Sequence, residues 1–183
     1  MNIVMLGASK GIGRAVARQL AERGDRLCLL GRDPGDLQRS VADLSVRAGA
    51  SGSGAVVAAC DLSRPETFGP ALDAAAAALG RVDAVIVTAA DFATQAVLEA
   101  DRDRLQRLLT VNFTNTVLFC EDARKRLLSG GGTLCVVSSV AGERGRKPVI
   151  LYGATKAGLS RYLEGLDHKY RRQGLKVVCV KPG

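Results

Sequence analysis

The chain has one histidine, no tryptophan and only seven aromatic residues, three Tyr and four Phe, and these shortages remove several classes of function at once. A lone imidazole, His168, leaves no cluster for zinc and makes a Ser-His-Asp triad improbable; it reads as an exposed helix residue, and no metal site is expected. So few aromatics offer little surface on which nucleic-acid bases would stack. The five cysteines, Cys28, Cys60, Cys120, Cys135 and Cys179, are odd in number and have no Cys-x-x-Cys spacing. Most sit inside apolar runs, which reads as buried, reduced thiols. No apolar run reaches the roughly 18 residues of a membrane span. The first apolar strand follows Met1 almost directly, leaving no space for a signal peptide, so a cytoplasmic protein is expected.

What is present points to a folded enzyme-sized domain. At roughly 150 residues per domain, 183 residues make one domain, 1–183. A chain of that length buries roughly 70% of its unfolded surface, and 47% hydrophobic residues exclude disorder. The formal charge of +8 would suit nucleic acid or an acidic ligand if the bases were clustered, but they are mostly scattered. The densest runs, Arg124-Lys125-Arg126 and Lys169-Tyr170-Arg171-Arg172, fall where helices should end, where cations answer the helix dipole. That reading is preferred to a nucleic-acid patch.

Short, continuously apolar, β-branched runs recur at Ile3–Leu6, Arg26–Leu30, Ala55–Ala59, Val82–Val87, Thr133–Val137 and Leu175–Val180, the pattern of strands covered on both faces. Helical spacing lies between them: Ile12, Val16 and Leu20; Leu37, Val41 and Leu44; Leu105, Leu108 and Leu109; Leu159, Leu163 and Leu166. The Ala74–Ala78 run favours helix, and the small-residue stretch Ala48–Gly54 reads as a loop. This βαβ alternation predicts an α/β fold, a Rossmann-type doubly wound parallel sheet of about six strands.

The first βα turn reads Gly7-Ala8-Ser9-Lys10-Gly11-Ile12-Gly13. Glycines between a strand and a helix let backbone N–H groups and the helix N-terminus approach a phosphate, so a dinucleotide is expected here. No Gly-Lys-Ser/Thr closes the turn, which excludes a P-loop. At the tip of the second strand stands Leu30-Gly31-Arg32. An acid there would bind the ribose hydroxyls of NAD; instead Arg32, with Lys10 from the glycine turn, offers two cations to a 2′-phosphate. NADP(H) is therefore the expected cofactor. Arg32 as a solvated residue balanced by Asp33 is the plainer alternative.

Tyr152 and Lys156 lie four apart in a helical segment, Tyr152–Arg172, so both project from one face. An ammonium that close stabilises phenolate and lowers the tyrosine's pKa, making a general acid–base. Upstream, strand Thr133–Val137 ends in Ser138-Ser139, where a hydroxyl can meet a substrate carbonyl at the carboxyl edge of the sheet. Spacing alone leaves a chance Tyr-x-x-x-Lys pair open. Asn112 falls on the Leu105, Leu108, Leu109 stripe and should face the core, paired.

Together these residues resemble the classical short-chain dehydrogenase/reductase (SDR) family along the whole chain. Gly7-x-x-x-Gly11-x-Gly13, Asp61-Leu62 after the third strand, Asn112, Ser139, Tyr152-x-x-x-Lys156 and Pro182-Gly183 after the sixth strand occur in order. The resemblance implies Tyr152 as proton donor or acceptor, Lys156 lowering its pKa and binding the nicotinamide ribose, Ser139 polarising the carbonyl, and Asn112 holding a relay water. It implies a cofactor site of Gly7, Ser9, Lys10, Gly11, Ile12, Gly13, Arg32, Asp61, Leu62, Ala89, Tyr152, Lys156, Pro182 and Gly183. The implied activity is oxidoreduction of a small-molecule carbonyl or secondary alcohol by a homodimer or homotetramer. A catalytically silent NADP(H)-binding regulator or sensor of the same fold is the alternative.

Two departures stand out. The family's Asn-Asn-Ala-Gly after the fourth strand is Val87-Thr88-Ala89-Ala90 here, so Thr88 replaces an amide that ties neighbouring strands. Family members also continue beyond the equivalent of Gly183 through a lid and a seventh strand, and a continuing segment is expected to cover the Leu175–Val180 edge. The stretch Ser138–Arg146 followed by Tyr152–Leu159 is similar to reductases of keto-sugars on polyprenyl phosphate. Arg144, Arg146 and Lys147 read equally as contacts for an anionic substrate and as a solvated loop, and membrane contact is expected only for a lipid-linked substrate.

Overall fold

Strand β1 (Asn2–Leu6) lies at the middle of a six-stranded sheet of order β3-β2-β1-β4-β5-β6, every neighbouring pair parallel. The other strands are β2 (Arg26–Gly31), β3 (Val56–Ala59), β4 (Ala84–Val87), β5 (Gly132–Val137) and β6 (Leu175–Val180). The computed structural model describes residues 1–48 and 54–183, so most of the expected loop Ala48–Gly54 lies outside the described residues. The doubly wound parallel sheet is the expected one.

Why the strands are apolar throughout is plain from their two faces. Val4 and Leu6 of β1, with Cys28 and Leu30 of β2, point into one core with Phe68, Phe119 and Leu163. The intervening Ile3, Met5, Leu27 and Leu29 point into a second core with Ala17, Ala21, Leu37 and Leu44. Side chains alternate across a strand, so a sheet covered on both faces cannot alternate apolar with polar residues.

The covering helices are α1 (Gly11–Glu22) and α2 (Pro34–Ala48) on one face, and α3 (Phe68–Leu79), α6 (Thr116–Leu128) and α7 (Ile150–Tyr170) on the other. The short helices α4 (Gln95–Ala100) and α5 (Arg102–Leu109) complete the chain. The stripe expected for α1 is displaced by one residue. Gly13, Ala17 and Ala21 are buried, while Ile12 is 53% exposed, because small residues let the helix lie close to the sheet at the glycine turn. The expected α7 stripe of Leu159, Leu163 and Leu166 is buried. Both basic runs end helices as expected, with Arg124 bonded to Glu121 at 2.6 Å and stacked 4.5 Å above the Tyr170 ring.

Between α5 and α6 the chain makes a single π-helical turn, Thr110–Asn115. This turn breaks the α-helical stripe expected to carry Asn112 onward from Leu105 and Leu108. It still buries both Asn112 and Asn115, and π turns of this kind recur at functional sites.

Candidate active site

The strand order reverses between β1 and β4, and a cavity of about 600 Å³ opens there at the carboxyl ends of the strands, the place where doubly wound sheets take ligands. Leu6, Gly7, Ser9, Lys10, Gly11, Ile12, Gly13 and Arg32 line it, as do Asp61, Leu62, Ala89 and Val137. The turn at its floor needs glycine. Gly7 has φ of +100°, and a Cβ on Gly13 would stand 2.1 Å from the Gly7 carbonyl oxygen, so α1 begins in contact with the end of β1. No side chain caps α1, and no acid occupies its first turn. Its leading N–H groups are thus free to bind an anion. These features fit a dinucleotide's pyrophosphate, with Gly11, which has open space beside it, giving the close approach. Asp61, one carboxylate oxygen of which accepts from the Ser63 N–H at 2.8 Å, lines the wall on the β3 side, and Arg32 stands exposed at the rim.

Thr88 does the work of the missing amide. Its backbone N–H donates to the Leu6 carbonyl at 2.9 Å, and its hydroxyl donates to the carbonyls of Gly7 at 3.0 Å and Leu6 at 3.3 Å. A short hydroxyl therefore ties β4 to the glycine turn. Thr88→Val keeps the shape and strands the Gly7 carbonyl, which should cost about 1–3 kcal/mol and weaken dinucleotide binding. Thermal melting and an NADPH titration check this; an unchanged melting temperature would remove Thr88 from the turn's support.

Just beyond the cavity, β5 runs on into Ser138 and Ser139 and α7 brings in Tyr152 and Lys156; none of the four lines the cavity itself, which Lys156 and Tyr152 meet through its lining residues Val137 and Phe92. Ser138 is 3% exposed and donates to the Lys156 carbonyl at 3.0 Å, while Ser160 donates to the same oxygen at 2.8 Å. The Ser138 bond, with a 2.7 Å contact between the Ser138 and Ser160 hydroxyls, locks α7 onto the end of β5, whereas the Ser160 bond to the carbonyl lies within α7. Close packing needs Gly153, where a Cβ would stand 2.5 Å from the Ala141 carbonyl oxygen. The Ser139 hydroxyl accepts from the Ala141 N–H at 3.1 Å. The Tyr152 ring packs edge-on against Phe92, centroids 5.1 Å apart.

The electrostatics of the pair differ from the expectation that Lys156 lowers the phenol. Burial raises the pKa of Tyr152 above its ordinary value, and a hydrogen bond with Ser139 only partly offsets this. Lys156 is 3% exposed, and burial brings its ammonium down to about 8. Its Nζ donates to the Val137 carbonyl at 3.0 Å and stands 5.7 Å from the centroid of the tyrosine ring. The carbonyl, not the phenol, receives the ammonium's hydrogen bond.

Asn112 is 1% exposed, and its amide bonds the Asp91 main chain twice at 2.7 Å, receiving from N–H and donating to C=O. That holds the segment after β4 at the cavity; the second amide hydrogen and remaining lone pair stay available. Pro182 lies beside the end of β5, its carbonyl accepting from the Val140 N–H at 3.1 Å. Gly183 follows it, exposed. Neither lines the dinucleotide cavity. Sequence reasoning did not find Asn115, whose buried amide donates to the Leu62 carbonyl at 2.6 Å and so steadies that wall, nor Asp91, Phe92 and Arg107 at the mouth. Asn115 lies three residues beyond Asn112, and two amides in one apolar segment were the available signal.

A family model described as short chain dehydrogenase matches residues 1–183. Carbonyl reductase family member 4 of Danio rerio is 29% identical over 98% of this chain and 73% of that protein. A short-chain type dehydrogenase/reductase from Mycobacterium ulcerans superposes with a TM-score of 0.92 at 23% identity, over 99% of this chain and 66% of that one. An actinorhodin polyketide ketoreductase determined with NADPH superposes at 0.89 and 24% identity, over 100% of this chain and 70% of that one. The chain thus spans about two thirds to three quarters of the length of these proteins.

Proposed function

Because the chain belongs to the short-chain dehydrogenase family, a family of oxidoreductases with a Rossmann-like nucleotide-binding fold, we propose that it interconverts a small-molecule carbonyl and secondary alcohol with NADP(H). The dinucleotide, when bound, supplies or accepts the hydride. Tyr152 exchanges the proton at the substrate oxygen. Ser139 donates a hydrogen bond to that oxygen, and Lys156 holds the nicotinamide ribose. Asn112 positions the Asp91–Phe92 segment and offers its remaining amide capacity to a relay water. The observation that carries the reading is the half-buried phenol of Tyr152 beside Ser139, its ring packed on Phe92, which lines a cavity whose floor fits a pyrophosphate. Its raised pKa leaves the phenol protonated near neutrality, the form a donor must have, but also a weaker acid than free tyrosine, so donation to a carbonyl rests on its position and not on a pKa matched to neutral pH.

Support for NADP(H) over NAD(H) comes from Lys10 and Arg32 and from glycine, not an acid, at position 31. The NADPH in the ketoreductase structure is in keeping with it, and the name of the carbonyl reductase relative is in keeping with a reductive activity. A panel of ketones and aldehydes with NADPH tests the activity; no turnover alongside intact cofactor binding would favour the silent alternative. Each phosphate hydrogen bond contributes roughly 1.5–3 kcal/mol, so NADPH should bind more than about tenfold tighter than NADH. Arg32→Ala should remove much of that margin. Equal affinities in a fluorescence titration would place the phosphate elsewhere. Among the described residues no helix is long and apolar enough to cross a membrane, and assembly into a homodimer or homotetramer is part of the proposal.

A further inference from the structure

Lys10 and Arg32 are the two cations the sequence offers to a 2′-phosphate. The structure places a third cation and an anion beside Lys10. Asp36, in the first turn of α2, accepts from Lys10 Nζ at 3.0 Å and from Arg39 Nη2 at 2.5 Å. Its position is fixed from behind, since its own N–H donates to the Asp33 carboxylate at 2.9 Å. Arg39 is folded back over the first turn of α2: a Cβ on Gly35 would stand 3.4 Å from Arg39 Nη1. Ser9, Lys10, Arg14, Asp36, Arg39 and Ser40 line a hollow of about 190 Å³ together with Arg18 and Asp43, which pair with each other, and the hollow shares Ser9 and Lys10 with the dinucleotide cavity.

An acid in the first turn of a helix with a basic residue three positions on has a local explanation in the helix dipole and the i,i+3 pair. Lys10 has none. It precedes α1, 26 residues before Asp36, and its side chain is 78% exposed and free to turn elsewhere, yet it points at this carboxylate. The carboxylate itself is only 21% exposed, while the Arg39 side chain is 73% exposed. One fixed anion thus gathers two mobile cations where the hollow meets the cavity at Ser9 and Lys10, as a bound phosphate would.

We propose that Asp36 is a built-in anion in the seat of the cofactor's 2′-phosphate, and that Arg39 joins Lys10 and Arg32 in holding that phosphate. The inference rests on the NADP(H) reading above. Before binding, Asp36 keeps Lys10 and Arg39 aimed at one spot. On binding, the phosphate must draw both cations away from Asp36, and the two anions then repel each other across a short distance. NADH has no group in that seat and meets neither cost. Asp36 therefore limits how strongly the enzyme prefers NADPH, and as an exposed charge effect its influence weakens as salt rises.

Calorimetric titration of the full chain, Asp36→Asn, Arg39→Gln and Arg32→Ala with NADPH, NADH and adenosine 2′-monophosphate tests this, with melting curves to confirm folding. Asp36→Asn should bind NADPH and adenosine 2′-monophosphate at least threefold more tightly than the parent at low salt, the gain shrinking with added salt, with NADH within twofold. Arg39→Gln should weaken the two phosphate-bearing ligands at least threefold and leave NADH unchanged. If Asp36→Asn gains less than that or binds them more weakly, while the parent prefers NADPH and Arg32→Ala loses the preference, the inference is overturned and the cofactor assignment stands. Equal affinity of the parent for NADPH and NADH would bring down the assignment, and the inference with it.

Discussion

Tyr152→Phe is expected to lower carbonyl turnover by about a hundred- to ten-thousandfold, the usual contribution of a positioned general acid, while NADPH affinity stays within about twofold. The substitution removes one oxygen and keeps the ring that packs edge-on against Phe92. The α7 backbone around it is held by Ser138, Ser160 and the Gly153 approach to Ala141, none of which involves the phenol. Melting temperature and cofactor titration should therefore match the parent. Steady-state assays on whichever carbonyl the panel finds provide the measurement, and turnover undiminished in the variant would end the proposed mechanism.

Lys156→Met should abolish turnover and at the same time make the cofactor-free protein more stable. Burial depresses the ammonium from 10.5 to about 8, and at 1.36 kcal/mol per pH unit that corresponds to roughly 3 kcal/mol of folding free energy lost when the lysine is charged. The variant strands the Val137 carbonyl that Nζ now serves, which returns about 1–2 kcal/mol, so a net gain of about 1–2 kcal/mol is expected at pH 7. The pH dependence has a definite sign. Above about 10.5 the lysine is neutral in both states and costs nothing. As pH falls from there to about 8, the unfolded chain binds a proton that the folded one resists, and the parent loses stability relative to the variant. Below about 8 the difference is constant. Denaturant unfolding of both proteins between pH 7 and 10.5 measures it; a variant less stable than the parent at pH 7 would mean that the buried ammonium is well solvated by its partners. Stability surrendered at such a position is what a binding or catalytic group costs a fold.

Much of this molecule was legible before any coordinates. The strand runs and their βα alternation, the glycine turn at 7–13 and the Tyr152, Lys156 spacing are local in sequence, and the forces behind them are local too. Two-sided burial makes a parallel strand apolar at every position, and a turn that must bring a helix against a strand end admits only glycine. Helix α1 shows where local pattern misleads: Ile12, Val16 and Leu20 match a helical stripe, yet Gly13, Ala17 and Ala21 face the sheet, because close approach to β1 outweighs hydrophobic size. The tertiary structure alone decided how the pieces act on one another. Thr88 became a strand tie because β4 lies beside β1, and Asn112 became a brace because a π turn aims it at the Asp91 main chain. Lys156 came to rest on Val137 with Tyr152 raised by burial, and Asp36 came to sit between Lys10 and Arg39. Spacing along a helix specifies which side chains share a face, whereas burial, carbonyl partners and competing charges come from segments far apart in sequence, and only folding brings them within a few ångströms.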